Sequence, residues 1–167
     1  MQTRSIDRPV GLDRLVRRRL LLATGALGLL AWTGARAAAP AATLVEVWKG
    51  PSCGCCKDWI KHLEANGFQV KAHDTGNTDA RARLGVPLQY GSCHTAQVGG
   101  YAVEGHVPAR DIRRLLKERP NAIGIAVPGM PIGSPGMDGP EHGPRRDPYD
   151  VLLVRKDGSA TPFQTYR

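Results

Sequence analysis

The spacing of hydrophobic and polar positions divides most of the chain into short strands and helices. Alternating β-branched and aromatic residues are typical of strands, and apolar residues at three- and four-residue intervals are typical of helices. Gly67 follows the first predicted helix, and Gly99-Gly100 suits a hairpin turn. The pattern predicts, in chain order, a strand over 43–48, a helix over 54–65, a strand over 68–74, a short helix over 77–84, a hairpin of strands 93–98 and 101–106, and a helix over 108–118.

The rest of the chain completes a mixed α/β pattern. Glycine and proline are frequent over about 120–148, which predicts a long loop, and a strand over 151–154 and a last short strand follow it. The order strand–helix–strand–helix–strand–strand–helix is the layout of thioredoxin and glutaredoxin. We therefore expect an α/β, thioredoxin/glutaredoxin-like fold: a central mixed β-sheet flanked by helices, with a long Gly/Pro-rich loop before the C-terminal strands.

Residues 1–37 have the features of a signal peptide. Several arginines precede an apolar run of 13 residues from Leu20 to Trp32, and small residues then predict cleavage near 37–39. A membrane-spanning helix needs about 20 apolar residues, so no permanent membrane anchor is expected. Arg17-Arg18 also resembles a twin-arginine signal, which leaves two export routes open. A single domain over 43–167 would remain after cleavage.

Removal of this leader changes the charge of the protein. Residues 1–37 hold seven arginines and two aspartates, so the net charge falls from +8 to +3, with 16 basic against 13 acidic residues. The remaining basic residues are scattered, whereas a nucleic-acid surface needs a dense basic stripe with stacking aromatics. Nucleic acid is therefore not an expected partner.

Three of the four cysteines lie in one four-residue segment, Cys53-Gly54-Cys55-Cys56, between a predicted strand and a predicted helix. The unpaired N–H groups and the positive dipole at a helix start stabilise thiolates, the form that attacks disulfides and binds soft metals. The layout of the fold also brings Cys93, at the start of the third strand, towards this helix end. We predict that the four cysteines converge.

The cysteine pattern allows several chemistries. Cys53 and Cys56 have the C-x-x-C spacing of a redox pair, which makes thiol–disulfide exchange one alternative. Cys55 is one thiol more than exchange requires, and soft thiolates favour Cu(I), with zinc as the competing metal. Lys57 stands where a c-type haem motif needs histidine. Two structural disulfides are the remaining alternative, although they usually link distant segments.

Four stretches of the chain, the first of which contains the cysteine segment, resemble a known family. The stretches are 48–59, 92–96, 103–108 and 127–137, which include Cys-Gly-Cys-Cys, Ser-Cys-His-Thr-Ala and Val-Pro-Gly-Met. They resemble, in order, an exported bacterial family catalogued as domain of unknown function 411, a CopG-like copper-resistance family. The resemblance runs from about residue 44 to 166. It implies a periplasmic, thioredoxin-like domain that binds copper through the cysteine positions Cys53, Cys55, Cys56 and Cys93.

Other side chains are candidates for a supporting role. His94 adjoins Cys93, and Met130 and Met137 belong to a repeated Pro-Gly-Met in the long loop. Thioethers bind Cu(I), but methionine also fills gaps in cores, so a lid over the thiols is an alternative role for this loop. His106 ends a predicted strand within possible reach of the cysteines. His62 and His73 are expected to be structural or exposed.

These observations predict a periplasmic copper-binding protein of copper resistance or homeostasis. Copper ions, and other periplasmic copper-handling proteins that supply or receive them, are the expected partners. The alternative is an exported thiol–disulfide oxidoreductase that uses Cys53 and Cys56. We expect a non-enzymatic metal-binding protein rather than an enzyme; if it is an enzyme, the expected class is a thiol/copper oxidoreductase, coupling copper binding to a change in thiol redox state.

Overall fold

A computed structural model describes residues 42–167 of the chain, and the predicted signal peptide, 1–37, lies outside this range. Within it the strands are β1 Thr43–Lys49, β2 Phe68–His73, β3 His94–Val98, β4 Tyr101–Glu104, β5 Gly124–Ala126, β6 Tyr149–Val154 and β7 Ala160–Tyr166. The helices are α1 Gly54–Ala65, α2 Thr78–Arg83 and α3 Ala109–Glu118, and short 3-10 turns lie at Leu88–Tyr90 and Pro140–His142. The predicted α/β class is confirmed.

The strands form one mixed sheet in the order β2-β1-β3-β4-β5-β6-β7. The pairs β1–β2 and β4–β5 are parallel, and the other neighbouring strands are antiparallel. The β3–β4 hairpin turns at Gly99-Gly100, where both residues have positive φ, as the predicted Gly-Gly turn requires. The sheet therefore carries the end of β1, where α1 begins, next to the start of β3.

The predicted loop over 120–148 is wrong at its beginning, because β5 lies inside it. This strand has only three residues, Gly124–Ala126, which show no alternation of polar and apolar positions. It forms because it pairs with β4, where Ala102 is the partner of Gly124. A Cβ atom at Gly124 would collide with the backbone of Ala102, so this close approach requires glycine. The irregular segment before β6 begins only after Ala126.

The helices α1 and α3 pack on the same face of the sheet. Their buried residues Trp59, Leu63, Ile112 and Leu115 join inward-facing strand residues such as Val47 in one hydrophobic core. Ladder partners point to the same face of a sheet, so His94, the partner of Lys49, faces this core. Thr95 and Glu104, which are partners of each other, lie on the opposite face. Among the helices of residues 42–167, none is both long enough and apolar enough to cross a membrane.

Candidate metal centre

The Cys-Gly-Cys-Cys segment forms the first turn of α1. The chain leaves β1 at Lys49, turns so that the Cys53 N–H donates to the Gly50 carbonyl at 3.2 Å, and enters the helix at Gly54. Cys53 is the N-cap residue and has extended backbone angles. Cys55 and Cys56 follow within the same turn, so all three sulfur atoms lie at the N-terminal end of the helix, as the sequence predicts.

Cys53 and Cys56 are joined by a disulfide, with their Cα atoms 5.4 Å apart. Cys55 and Cys93 are free and partly buried. The structure therefore represents an oxidised state in which the C-x-x-C pair is closed, and in which two of the four sulfur atoms are thiols. Reduction of this disulfide is required before all four can act as thiolate ligands.

The fourth cysteine lies beside the other three, as the sequence predicts. The Cys93 Sγ atom is 3.5 Å from the Cys56 Sγ atom and 3.9 Å from the Cys55 Sγ atom. The Cys55 Sγ atom is also 3.5 Å from the Cys53 Sγ atom. All four sulfur atoms lie within 4.8 Å of one another. We call these four residues the thiol cluster.

Two buried histidines extend the thiol cluster on the side of Cys93. The His106 Nε2 atom lies 3.1 Å from the Cys93 Sγ atom, and the His94 Nδ1 atom lies 3.4 Å from it. Cys93, His94 and His106 form a second group whose donor atoms lie within 4.8 Å of one another. Cys93 thus belongs to both groups.

The orientation of His106 is fixed by the long loop. Its Nδ1 atom lies 2.9 Å from the carbonyl oxygen of Pro135, which can only accept a hydrogen bond. Nδ1 therefore carries the proton, and the lone pair of a neutral ring lies on Nε2, towards Cys93. Metal-binding histidines are commonly oriented by such a bond from the second nitrogen.

His94 is fully buried but incompletely paired. Its ring packs on Trp59 at a centroid distance of 4.2 Å, and meets the ring of His106 edge to face. Its Nε2 atom is buried and has no hydrogen-bond partner. A buried polar atom without a partner is unfavourable in a protein interior. The nitrogen of His94 that lies near Cys93 is the other one, Nδ1.

Burial determines the protonation of these groups in the metal-free protein. Burial, with a contribution from Cys55, raises the pKa of Cys93 to about 12, so its sulfur is a thiol at neutral pH. Burial lowers the pKa of His106, and lowers that of His94 well below its usual value, so both rings are neutral. The Cys93 thiol therefore donates to a neutral His106 ring. A lowered thiol pKa, expected at the helix start, does not extend to Cys93.

The loop before β6 covers part of the helix start. Gly136 is buried, and a Cβ atom there would lie 2.6 Å from the Cys55 carbonyl oxygen and 2.7 Å from the backbone nitrogen of Trp59. Met137 is partly buried next to it, whereas the side chain of Met130 is 51% exposed. The part of the loop that covers the helix start is thus the segment around Gly136. No contact between either methionine and the cysteines is seen among the described residues.

The other histidines make contacts of their own. The His62 Nε2 atom accepts a hydrogen bond from the Ala109 N–H at the start of α3. His73 stacks on Trp48. His142 lies 3.4 Å from a carboxylate oxygen of Glu141 in the long loop.

The register of the hairpin is a sequence signal that points to His106 directly. In the β3–β4 hairpin, Val98 pairs with Tyr101 and Thr95 pairs with Glu104. Counting back from the Gly-Gly turn on this register sets His106 opposite Cys93. The position of the turn, rather than proximity in sequence, identifies this histidine.

The comparisons with known protein families and with solved structures point to the same family. A model of the family described as "Protein of unknown function, DUF411" matches residues 90–137. The chain is similar to a solved structure of copper resistance protein CopG in its form 2, with 48% identity and a TM-score of 0.69, over 75% of this chain and 99% of that chain. It is also similar to form 1, with 51% identity and a TM-score of 0.68, over 74% and 96% of the two chains. A search of curated proteins found no significant match.

Proposed function

The chain belongs to the DUF411 copper-resistance family, and from this membership we propose that it binds Cu(I) through the thiol cluster. The ligands are the sulfur atoms of Cys53, Cys55, Cys56 and Cys93. The cellular role is copper resistance or homeostasis. The similarity to copper resistance protein CopG and the cysteine cluster together support a copper-related function.

One observation carries the proposal: Cys93, which is 37 residues away from Cys56 in the sequence, has its sulfur 3.5 Å from that of Cys56. Two structural disulfides would need two bonded pairs, but only Cys53 and Cys56 are bonded. Simple disulfide exchange needs neither Cys55 nor Cys93 at this distance. Four converging sulfur atoms suit a soft metal, and thiolates select Cu(I) ahead of harder ions.

Copper binding through all four sulfur atoms requires the reduced protein. The Cys53–Cys56 disulfide accepts two electrons and two protons from a thiol reductant, and its S–S bond is replaced by two thiols. The thiols then lose their protons as the metal binds. The copper capacity of the site therefore depends on the redox state of this pair.

The histidines add nitrogen donors on one side of the thiol cluster. Cys93 belongs both to the four-sulfur group and to the group with His94 and His106. A thiolate can bridge two metal ions, so Cys93 is suited to join copper bound by the cysteines to copper bound by the histidines. The His94 Nδ1 atom, 3.4 Å from the Cys93 sulfur, and the oriented Nε2 atom of His106 support this arrangement. Met130 and Met137 remain weaker candidates, since neither has an assigned contact with the cluster.

The setting of this function is also part of the proposal. The parallel β1–β2 pair, the antiparallel β3 and β4, and the cysteine turn between β1 and α1 support a thioredoxin-like fold. The predicted leader supports export to the periplasm, where other copper-handling proteins would supply or receive the metal. Zinc could occupy a site of thiolates and imidazoles as well, and is the competing metal.

A second candidate function is thiol–disulfide exchange, which the Cys53–Cys56 disulfide favours. In this function Cys53 attacks a substrate disulfide, and Cys56 then displaces the substrate thiol to form the internal disulfide. A disulfide-reductase assay with a thiol reductant tests it. Turnover that persists in Cys55→Ser and Cys93→Ser variants supports exchange as the primary activity.

The test of copper binding is a titration of the anaerobically reduced protein with Cu(I) against a competing chelator. Elemental analysis counts the metal per chain, and a parallel titration with Zn(II) measures selectivity. Tight Cu(I) binding that is lost after oxidation of the thiols supports the proposal. Weak binding to protein in which four free thiols have been counted contradicts it.

A further inference from the structure

A network of hydrogen bonds holds Ser92, the residue before Cys93, at both polar atoms of its backbone. The Ser92 N–H donates to the Glu104 Oε1 atom at 2.7 Å. Its carbonyl oxygen accepts from the Arg81 Nη2 atom at 2.5 Å and from the Asn77 Nδ2 atom at 3.2 Å. The chain is thus fixed in position one residue before the sulfur that completes the thiol cluster.

The centre of this network is a buried ion pair. Glu104 is fully buried, and the side chain of Arg81 is 13% exposed, with 2.9 Å between the guanidinium and the Glu104 Oε1 atom. The other carboxylate oxygen of Glu104 accepts from the Thr95 hydroxyl at 2.6 Å. Each hydrogen bond to the carboxylate therefore comes from a group next to the start of β3 or from α2.

Stability alone is a weak reason for such a pair. Desolvation of two buried charges opposes their attraction, and apolar replacements of buried ion pairs are often as stable. What an apolar pair could not supply is a donor for the Ser92 carbonyl and an acceptor for the Ser92 N–H. The Arg81–Glu104 pair supplies both of these hydrogen bonds to the backbone of Ser92.

The Ser92–Cys93 backbone joins the network to the thiol cluster. Thr95 and Glu104 are ladder partners on the face of the sheet opposite the core, whereas α1, whose first turn carries the other three cysteines, packs on the core face. A displacement at Ser92 therefore moves the Cys93 sulfur relative to those of Cys55 and Cys56.

From this geometry we propose that Arg81 and Glu104 are positioning residues, which hold Ser92 so that Cys93 completes the thiol cluster. The proposal extends the copper-binding function given above and rests on it. Neither residue contacts the metal in this role. Both act through the backbone on the sulfur of Cys93.

The first test uses the oxidised, metal-free protein, in which Cys55 and Cys93 are the free thiols. Alkylation by iodoacetamide is followed at both cysteines by mass spectrometry, and the ratio of the two rates is compared among variants. Glu104→Ala and Arg81→Met should change the Cys93-to-Cys55 rate ratio by about threefold or more, because the position and burial of one thiol alter its reactivity. General loosening of the fold would raise both rates together.

The matched control is Leu115→Ala, a core change on α3 outside the Ser92 network. The Leu115 variant is alkylated at a temperature at which its folded fraction equals that of the Glu104 variant. The rate ratio should stay at the wild-type value. An unchanged ratio in the folded Glu104 or Arg81 variants would overturn the proposal, since it would mean that the ion pair only stabilises the fold.

The second test measures Cu(I) binding by the reduced variants. Loss of an oriented contact behind a ligand typically lowers metal affinity about 10-fold to 100-fold, and this is the expected effect of Arg81→Met and Glu104→Ala. Glu104→Gln keeps an acceptor for the Ser92 N–H and should recover part of the loss. If Glu104→Ala does not fold, Arg81→Met and Asn77→Ala, which remove donors to the Ser92 carbonyl, decide the question.

The two tests separate this proposal from the proposed function. If the wild-type protein fails to bind Cu(I), the copper function is wrong, but the alkylation ratio still reports whether Ser92 positions Cys93. If the wild-type protein binds Cu(I) and the variants bind it equally well, the positioning role is wrong and the copper function stands.

Discussion

The sulfur of Cys93 lies 3.1 Å from the Nε2 atom of His106, and the two residues are brought together by the β3–β4 hairpin. In the metal-free protein the thiol donates to the neutral ring. A metal that binds both atoms must replace this proton. The pair therefore links metal binding to proton release and to the orientation of the histidine.

The first prediction concerns this proton. Because burial raises the pKa of Cys93 to about 12, Cu(I) binding at pH 7 must displace a full proton from its sulfur. Calorimetric titration of the reduced protein in buffers of different ionisation enthalpy measures the protons released. We expect Cys93→Ser to release about one proton fewer per chain. Equal release by the two proteins would mean that Cys93 does not bind as a thiolate.

The second prediction separates copper binding from disulfide chemistry. Cys55→Ser removes one soft ligand and leaves the bonded pair Cys53 and Cys56 intact. We expect a lower Cu(I) affinity, by about 10-fold or more, and an unchanged ability to form the disulfide. Competition with a chelator measures the affinity, and thiol counting measures the disulfide. Loss of disulfide exchange with normal copper binding would reverse the assigned roles.

The third prediction tests the histidine that the hairpin register places at the site. His106→Ala removes the Nε2 donor next to Cys93, so we expect a loss of about 10-fold in Cu(I) affinity or of a bound copper ion. The matched control is His142→Ala in the long loop, which should bind copper as the wild-type protein does. X-ray absorption at the copper edge provides the direct measurement, because the nitrogen contribution should decrease only in the His106 variant.

The fourth prediction concerns the loop that covers the helix start. Gly136 has a φ of +82°, and a Cβ atom there would collide with the backbone of Cys55 and Trp59. Gly136→Ala should lower the free energy of unfolding by about 1–3 kcal/mol and weaken Cu(I) binding, because the loop also carries the Pro135 carbonyl that orients His106.

Gly143 provides the control for this change. Its φ is +61°, but a Cβ atom would meet no heavy atom within 4 Å. Gly143→Ala therefore adds backbone strain without a collision, and we expect a loss of about 1–3 kcal/mol in the free energy of unfolding but normal copper binding. Equal loss of Cu(I) affinity in the two variants, measured by chelator competition at matched folded fraction, would show that the loop does not act through its contact with α1.

The fifth prediction is a pH dependence of stability in the metal-free protein. Burial holds the pKa of His94 well below its usual value of 6.5, so below pH 6.5 the unfolded chain takes up a proton that the folded protein does not. The contribution of His94 to the free energy of unfolding is therefore fully present above pH 6.5. It decreases as the pH falls below this value, by up to about 1.4 kcal/mol per pH unit.

Denaturant unfolding at several pH values between 7 and 5 measures this slope. His94→Gln removes the titrating ring, so its slope should be smaller by up to one proton, whatever its stability at pH 7. Equal slopes for the two proteins would mean that the ring is protonated in the folded state.

Local patterns were sufficient to predict much of the fold. The helix over 54–65 was predicted with its observed bounds, because Gly54 and Gly67 flank a segment of helical composition. The strand β5 was missed, since its three residues form a strand only through pairing with β4. Pairing of this kind depends on contacts distant in sequence, which alternation cannot reveal.

The same distinction applies to the site. The three cysteines at the start of α1 were evident from their spacing, and the approach of Cys93 followed from the order of the elements. The disulfide between Cys53 and Cys56 fits their spacing, but the sequence does not show whether this pair is oxidised or reduced. The buried Arg81–Glu104 pair was not predicted, because charged residues are normally exposed and nothing local indicates their burial.

The thiol cluster combines residues from two segments, the start of α1 and the residue before β3. A metal bound to both would close a loop of 37 residues between Cys56 and Cys93. It would act as a removable cross-link, which restricts the unfolded chain and connects the start of α1 to the start of β3. Copper would then be a folding ligand as well as a cargo, and the lifetime of the protein under heat or proteolysis would rise with the copper supply.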